Sequence, residues 1–353
     1  MKTDIRVIVK YLLSAAAAVV LLYFSFRGVN WTDFWSCLKS CEWSYVIVSM
    51  VACLLVYVVR GLRWKMLLEP IDPSIGLRAC FNAVSIGMIS NLVLPRVGEL
   101  VRCAYITRNS ARDGEGKRLA SYDKVFGTVV MERGLDSVFM IVVFVIMMSL
   151  MWRRFGSFFS ESIFPGLSSK LGMVWMLLGA AVLIAALVWC VRILRGRNRF
   201  FAKVYDVCSG IGQGLKACLH MKHGWMFFVY TGIVWVLYWV MSYSIVLAVK
   251  HIDPSILSAD TLPAMNTLQG LGGVDALFLM LAGALSSVVP VPGGFGAFHT
   301  VVAGALHSVY GIPFSLGLIF ATLSHEAQTV TQIVAGLFSF AWESIFSHPE
   351  EQN

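Results

Sequence analysis

The chain has 353 residues, of which 58% are hydrophobic and 14% charged, and its mean hydropathy is +0.75. A soluble domain carries about 25% charged residues, so this composition excludes an ordinary soluble enzyme and is typical of a protein embedded in a bilayer. The formal net charge of +8 does not indicate nucleic-acid binding, because the basic residues lie between apolar stretches and not on a soluble basic domain.

Six stretches are apolar and long enough to span a bilayer, which takes about 20 residues. In chain order they cover residues 7–26, 44–68, 125–151, 171–191, 224–249 and 314–342. The first is interpreted as a membrane helix and not as a signal peptide, because no convincing cleavage site of small residues follows it. Residues 31–43 and 199–220 are predicted to be amphipathic linkers.

Two further apolar stretches, 78–94 and 272–289, are shorter and end in turns rich in proline and glycine. A second short helix, 98–109 or 295–309, follows each turn. Broken backbone at membrane depth is tolerated only where protein or a wet cavity surrounds it, so we predict two re-entrant hairpins. The residues expected to form the turns or gates are Pro95, Gly98, Pro290, Pro292, Gly293, Gly294 and Gly296.

The order of these elements repeats as span, amphipathic linker, span, hairpin and span, first over about 1–151 and again over about 171–345. Three spans per copy is an odd number, so the copies have opposite orientations. With both termini in the cytoplasm, cytoplasmic segments hold 21 of the 28 Lys and Arg residues, as the positive-inside rule requires. We therefore predict an all-α polytopic membrane protein with six spanning helices and two re-entrant hairpins in an inverted repeat, forming one domain over 1–353. Accidental hydropathy symmetry is the alternative.

The first predicted turn carries polar and charged side chains where a helix begins near Gly98. Free N–H groups at a helix start and the forked donors of arginine both suit a phosphate, so we predict a binding site for an anionic headgroup. Its residues are Asn91, Arg96, Glu99 and Arg102. The alternative is a cytoplasmic surface loop whose arginines only set the topology.

Three charged residues, Glu132, Arg133 and Asp136, lie inside the span 125–151. Charges in a span are costly and usually face the protein interior or a water-filled path. Arg133 can reach Asp136 on the next helical turn, and we expect Arg96 or Arg102 to pair with the remaining carboxylate. Alternatively, the cluster lies at the cytoplasmic interface and only holds the helix against the hairpin.

Histidines accompany the second turn and the last span. His299 follows the second turn by one helical turn, and His325 and Glu326 form a candidate proton-coupled pair. We predict that these three residues, like Glu132, Arg133 and Asp136, also contribute to substrate binding. Adjacent residues on a helix point in different directions, which argues against coupling. The sequence contains no GxSxG, HExxH, P-loop or dinucleotide motif and no Cys/His ligand spacing. We therefore predict no catalytic residues, no metal and no cofactor.

Three motifs occur in order along nearly the whole chain: Leu94-Pro95-Arg96-Val97-Gly98-Glu99 with Arg102, Glu132-Arg133-Gly134-Leu135-Asp136, and Pro290-Val291-Pro292-Gly293-Gly294-Phe295-Gly296 with Phe298. Together they resemble the membrane domain of the lysylphosphatidylglycerol synthase/flippase proteins. In two-part members this domain is similar to a flippase, and a separate soluble domain transfers the amino acid. The chain ends at Asn353 without such a domain, so the resemblance implies a stand-alone member. Phe298 and His299 stand where family members have an acidic residue.

The resemblance implies a lipid flippase that moves an anionic or modified phospholipid, or a lipid-linked headgroup, between leaflets of a bacterial-type inner membrane. The expected partner is a membrane phospholipid, with a possible homo-oligomer and no nucleic acid. Two other functions stay open. One is a membrane enzyme acting on a polyprenyl phosphate or lipid-linked sugar, with Glu99 or Glu132 as base. The other is a scaffold for a lipid synthase.

Overall fold

The computed structural model describes residues 5–151, 189–194, 196, 201–202, 205, 224–257 and 261–346. Every named element in these ranges is a helix, which confirms the all-α prediction for this part of the chain. The chain divides into two compact units, Met1–Val129 with Phe228–Asn353, and Val130–Phe227. The predicted span 171–191 and the predicted linker 199–220 lie almost entirely outside the described residues.

The helices before residue 151 follow the predicted order. They are α1 (Ile5–Phe26), α2 (Trp31–Ser40), α3 (Trp43–Leu68), α4 (Leu77–Val93), α5 (Gly98–Arg108) and α6 (Tyr122–Leu150). The side chain of Asn30 caps α2 by accepting hydrogen bonds from the backbone of Thr32 and Asp33. Helix α4 ends at Val93 because Pro95 disfavours a helical conformation for Leu94, which is extended with φ −129° and ψ 121°.

The later described helices are α7 (Gly224–Val249), α8 (Met265–Gly270), α9 (Gly273–Ser286), α10 (Ala297–Tyr310) and α11 (Phe314–Phe346), with short 3-10 helices at Pro254–Ile256, Leu262–Ala264 and Pro292–Gly294. The core of the first unit lies among α7, α9, α10 and α11. Ile245, Ala276, Val302 and Leu318 are fully buried there. This apolar packing positions the second hairpin.

Two described helices, α3 and α7, are each long and apolar enough to cross a membrane. Two bent pairs meet the same requirement only when each is taken together: α1 with α2, bent by 89°, and Leu262–Gly270 with α9, bent by 100°. The described residues therefore contain two to four candidate spans. The predicted spans 125–151 and 314–342 lie almost wholly within the single helices α6 and α11. The full set of six spans stays a prediction.

The two helices of each predicted hairpin pack against each other, and their re-entrant course through a membrane stays a prediction. Helix α4 packs against α5, and α9 packs against α10. Helix α11 contacts α4 of the first hairpin and α10 of the second, and glycines allow the close approach. A Cβ on Gly336 would lie 2.7 Å from the Cβ of Ile89, and a Cβ on Gly317 would lie 3.0 Å from the Cα of Ala303.

At the end opposite each turn, an aspartate near the start of the first helix is hydrogen-bonded to residues near the end of the second helix. Asp72, just before α4, accepts hydrogen bonds from the Ser110 hydroxyl (2.6 Å) and the Ala111 backbone (2.9 Å), just after α5. Asp275, near the start of α9, accepts one from the hydroxyl of Tyr310 at the end of α10 (2.8 Å). The shared arrangement fits the predicted repeat, which itself stays a prediction.

Candidate functional site: the meeting of the two hairpin turns

The first turn is held closed by a glycine and an asparagine. A Cβ on Gly98 would lie only 2.0 Å from the carbonyl oxygen of Gly87, so no other residue fits there without moving α4 away from α5. The side-chain oxygen of Asn91 accepts a hydrogen bond from the Gly98 backbone at 2.8 Å. Asn91 thus satisfies one of the free N–H groups at the start of α5. These two predicted residues shape the turn.

Among the described residues, Arg96 is the only residue other than glycine with a positive φ, which is 63°. This conformation costs an L-residue about 1–2 kcal/mol. The Arg96 side chain is exposed, and its Nη2 donates a hydrogen bond to the carbonyl oxygen of Val288 at 3.1 Å. Val288 lies two residues before Pro290, the first residue of the second turn. The strained arginine therefore links one hairpin turn to the other.

The second turn depends on glycine and packs against α1. Gly293, Gly294 and Gly296 all have positive φ, at 58°, 80° and 77°. A Cβ on Gly296 would lie 2.6 Å from the Cβ of Leu21 in α1. The Ser14 hydroxyl of α1 donates a hydrogen bond to the carbonyl oxygen of Pro290. The glycines therefore permit both the fold of the turn and its contact with α1.

The two turns meet, and we call residues 94–97 and 288–296 the turn junction. Helix α4 contacts the Pro292–Gly294 segment, and a Cβ on Gly293 would lie 3.1 Å from Cδ2 of Leu92. A cavity of about 360 Å³ lies between α1 and the junction. Its mainly apolar lining comprises Tyr11, Leu12, Ala15, Val93, Leu94, Pro95 and Pro292. Such a cavity suits the apolar part of a ligand, and Arg96 directly follows one of its lining residues.

Arg102 lies apart from the junction surface. It is buried, its Nε lies 2.6 Å from Oε2 of Glu99, and its guanidinium lies 4.6 Å from the ring centroid of Trp64 in α3. The cation–π contact joins α5 to α3, and the ion pair within α5 holds the guanidinium in place. Of the two arginines predicted to bind phosphate, Arg96 is the exposed one. A ligand role for Arg102 and Glu99 stays a prediction.

The charged cluster of α6 lies in the second unit and contains the expected ion pair. Arg133 lies 3.7 Å from a carboxylate oxygen of Asp136 and 3.3 Å from Oε1 of Glu132. Glu132 is fully buried, whereas 42% of the Arg133 side chain is exposed. The predicted pairing of one of these carboxylates with Arg96 or Arg102 stays a prediction.

His299, His325 and Glu326 come together behind the second turn, and we call them the histidine cluster. His325 Nδ1 lies 3.1 Å from Oε1 of Glu326, although adjacent helical residues were expected to diverge. His299 Nε2 lies 3.9 Å from the same oxygen. His325 Nε2 lies 2.9 Å from the carbonyl oxygen of Gly293, which connects the cluster to the turn junction.

Residues of α1 were missed as part of the site. Tyr11 lines the junction cavity and Ser14 binds the second turn, but both lie in a stretch that resembles an ordinary span. The only signal in the sequence is a hydroxyl residue at position 14 between apolar residues. Asp72 was also missed, and its signal is the Asp-x-Ser spacing of a side-chain turn, with Ser74 donating to Asp72.

Comparison with known proteins gives one family. The model described as "Lysylphosphatidylglycerol synthase TM region" matches residues 7–336. The matched range contains both hairpins, the charged cluster of α6 and the histidine cluster, so every predicted site residue lies inside it. No curated protein matches the chain.

Proposed function

Because the chain belongs to the lysylphosphatidylglycerol synthase TM-region family, we propose that it moves a lipid with an anionic headgroup between the leaflets of a membrane. The family match and the apolar helices make it a multi-pass membrane protein. The family name connects the chain to a phospholipid. We propose a bacterial-type inner membrane, with both termini in the cytoplasm, as its location.

The turn junction carries the proposal. An exposed guanidinium provides forked, charged donors for a phosphate. The apolar cavity beside it, of about 360 Å³, accommodates the part of the lipid next to the headgroup. Strained backbone is concentrated at functional sites, and the left-handed conformation of Arg96 supports a role beyond packing.

The hydrogen bond between Arg96 and Val288 supports a gating role for the turns. In the proposed mechanism, a phosphate replaces the Val288 carbonyl as the partner of Arg96, and the two turns then separate. Turns entering from opposite sides, in an inverted repeat of six spans and two re-entrant hairpins, allow the headgroup to pass between them. Glu99, Glu132 and Asp136 would pair with positive groups of a modified headgroup.

Reconstitution tests the proposal. Purified protein in vesicles of phosphatidylglycerol and phosphatidylethanolamine is expected to bring a fluorescent phosphatidylglycerol from the inner to the outer leaflet, where dithionite quenches it. Arg96→Ala is expected to slow this movement at least about tenfold, because one charged hydrogen bond contributes about 1.5–3 kcal/mol. Arg96→Lys keeps the charge without the fork and is expected to retain part of the rate.

Arg112→Ala is the matched control, since Arg112 is exposed in the loop after α5 and contacts the carbonyl oxygen of Gly116. It is expected to leave the rate unchanged. The proposal fails if the wild-type chain moves neither anionic nor zwitterionic lipid. It also fails if Arg96→Ala moves lipid as fast as Arg112→Ala.

A further inference from the structure

We infer that His299, His325 and Glu326 form a binding site for a divalent transition-metal ion of the Zn²⁺ type. This inference does not depend on lipid movement. The prediction of no metal rested on ligand spacing along the sequence, whereas these three ligands come from two helices, α10 and α11. The three ligands come together only through the packing of these two helices, so their spacing along the sequence does not indicate a metal site.

The three ligand atoms converge on one point. One ring nitrogen of His299, one ring nitrogen of His325 and a carboxylate oxygen of Glu326 all lie within 4.8 Å of one another. Glu326 Oε1 lies 3.9 Å from His299 Nε2 and 3.1 Å from His325 Nδ1. Ligand atoms about 2.0–2.1 Å from a tetrahedral zinc lie about 3.3–3.5 Å apart. Small side-chain rotations therefore suffice to bind the ion.

The protons of His325 give a second argument. Its Nε2 lies 2.9 Å from the carbonyl oxygen of Gly293 and its Nδ1 lies 3.1 Å from Glu326, and both oxygens only accept hydrogen bonds. A neutral imidazole carries one N–H. If Nε2 donates it to the Gly293 carbonyl, Nδ1 presents its lone pair to the Glu326 carboxylate, and the two repel each other. A cation between them removes the repulsion. Histidines that bind metals commonly donate the other N–H to a backbone carbonyl in this way.

His299 gives a third argument. It is 2% exposed, so burial favours the neutral imidazole, which offers a lone pair at one ring nitrogen. A second proton on His325 would satisfy the hydrogen bonds of that ring only. It would also place a positive charge near His299, since the two ring centroids are 5.1 Å apart. A metal ion instead uses a lone pair from each neutral ring and balances the carboxylate of Glu326.

The surroundings fit a metal site with one open position. The rings of Phe295 and Phe298 lie 4.9 Å and 5.3 Å from that of His325, and Phe26 lies 5.6 Å from His299. This apolar shell strengthens electrostatic attraction between the ion and its ligands. The Glu326 side chain is 42% exposed, which gives the ion access and leaves a position for water or a phosphate oxygen.

Titration of the purified, tag-free full chain in detergent with Zn²⁺ tests the site. We expect one ion per chain by calorimetry and by metal analysis after dialysis. His325→Gln and Glu326→Gln are each expected to weaken binding at least about 100-fold, since each removes a direct ligand, and loss of an outer partner alone costs about 10–100-fold. His251→Gln is the control, because His251 is exposed, hydrogen-bonds the Leu247 carbonyl and is not part of the histidine cluster.

X-ray absorption of the Zn²⁺-loaded wild-type chain provides a readout that does not depend on the folding of variants. Two imidazoles and one carboxylate are expected around the ion. The inference is wrong if the wild-type chain binds no Zn²⁺, if fewer than two imidazoles surround the ion, or if His251→Gln weakens binding as much as His325→Gln. A protonated His325 without metal binding would assign the cluster to proton transfer. Lipid movement that survives metal removal leaves the proposed function intact.

Discussion

Arg96 and Gly98 show how a few side chains determine the turn junction. Arg96 has a left-handed backbone conformation, and its guanidinium donates a hydrogen bond to the Val288 carbonyl, 192 residues away in sequence. Gly98 has no side chain because the Gly87 carbonyl occupies the space. The Pro-Arg-x-Gly sequence predicted a turn whose arginine binds an anionic headgroup. The partner of that arginine could not be predicted, because it depends on the packing of a distant hairpin.

Gly98→Ala is expected to destabilise the protein by about 1–3 kcal/mol, the usual cost of overpacking. The added methyl would lie 2.0 Å from the Gly87 oxygen and 2.7 Å from Nδ2 of Asn91, so α4 and α5 must separate. Thermal unfolding in detergent measures the change in Tm. Gly304→Ala in α10 is the control, because nothing lies within 4 Å of the new Cβ. An equal Tm for the two variants would contradict the close approach of α4 and α5.

The helices and hairpins were largely predictable, because the signals that define them are local. Pro95 and the glycines of the second turn mark where the helices break, and the helix pairs α4–α5 and α9–α10 form on either side of these breaks. The histidine cluster was not predictable as a unit. His299 lies on another helix, and the side-chain rotamers that bring His325 toward Glu326 depend on the contact with Gly293.

Asp72 connects the two ends of the first hairpin, and its ionisation is expected to stabilise the fold. Burial raises its pKa, but hydrogen bonds from Ser110, Ser74 and the Ala111 backbone outweigh burial and lower the pKa below its ordinary value. The folded state therefore favours the charged carboxylate. This stabilisation is fully present above the unfolded pKa of about 3.9 and is lost as pH falls through the lower folded value.

Asp72→Asn is expected to lower Tm at pH 7, because the amide loses the charge that strengthens these hydrogen bonds. The variant is also expected to lose less stability than wild type between pH 5 and pH 2. Tm measured against pH in detergent checks both effects. Glu115→Gln, which removes an exposed ion pair with Lys117, is expected to change Tm little. Parallel pH curves for wild type and Asp72→Asn would contradict the assignment.

For the whole molecule, the family is confirmed, and the described residues are confirmed to be helical. The membrane topology stays a prediction. The positive-inside count predicts an orientation with both termini in the cytoplasm. The junction of the two turns brings together residues near positions 96 and 288. The proposed inverted repeat requires the open ends of their hairpins to face opposite sides of the membrane.

Single cysteines in a cysteine-free background test this requirement. Lys117 lies in the loop after the first hairpin and Ser255 in the segment before the second, and both are exposed. Lys117→Cys is expected to react with an impermeant maleimide only from the cytoplasmic side, and Ser255→Cys only from outside. Labelling in intact cells and in inverted vesicles measures this, and reaction of both from one side would contradict the inverted repeat.

Helix α11 contacts both hairpins and carries His325 and Glu326 of the histidine cluster between these contacts. Near its end, Glu343 accepts hydrogen bonds from Asn82 of α4, at 2.9 Å, and from the hydroxyl of Tyr105 of α5. Helix α11 is continuous over 33 residues, so we expect a displacement at one of its contacts to be passed along the helix to the other. We therefore expect that a shift of α10 after ion binding or headgroup entry also displaces the first hairpin, which would couple the opening of the two hairpins.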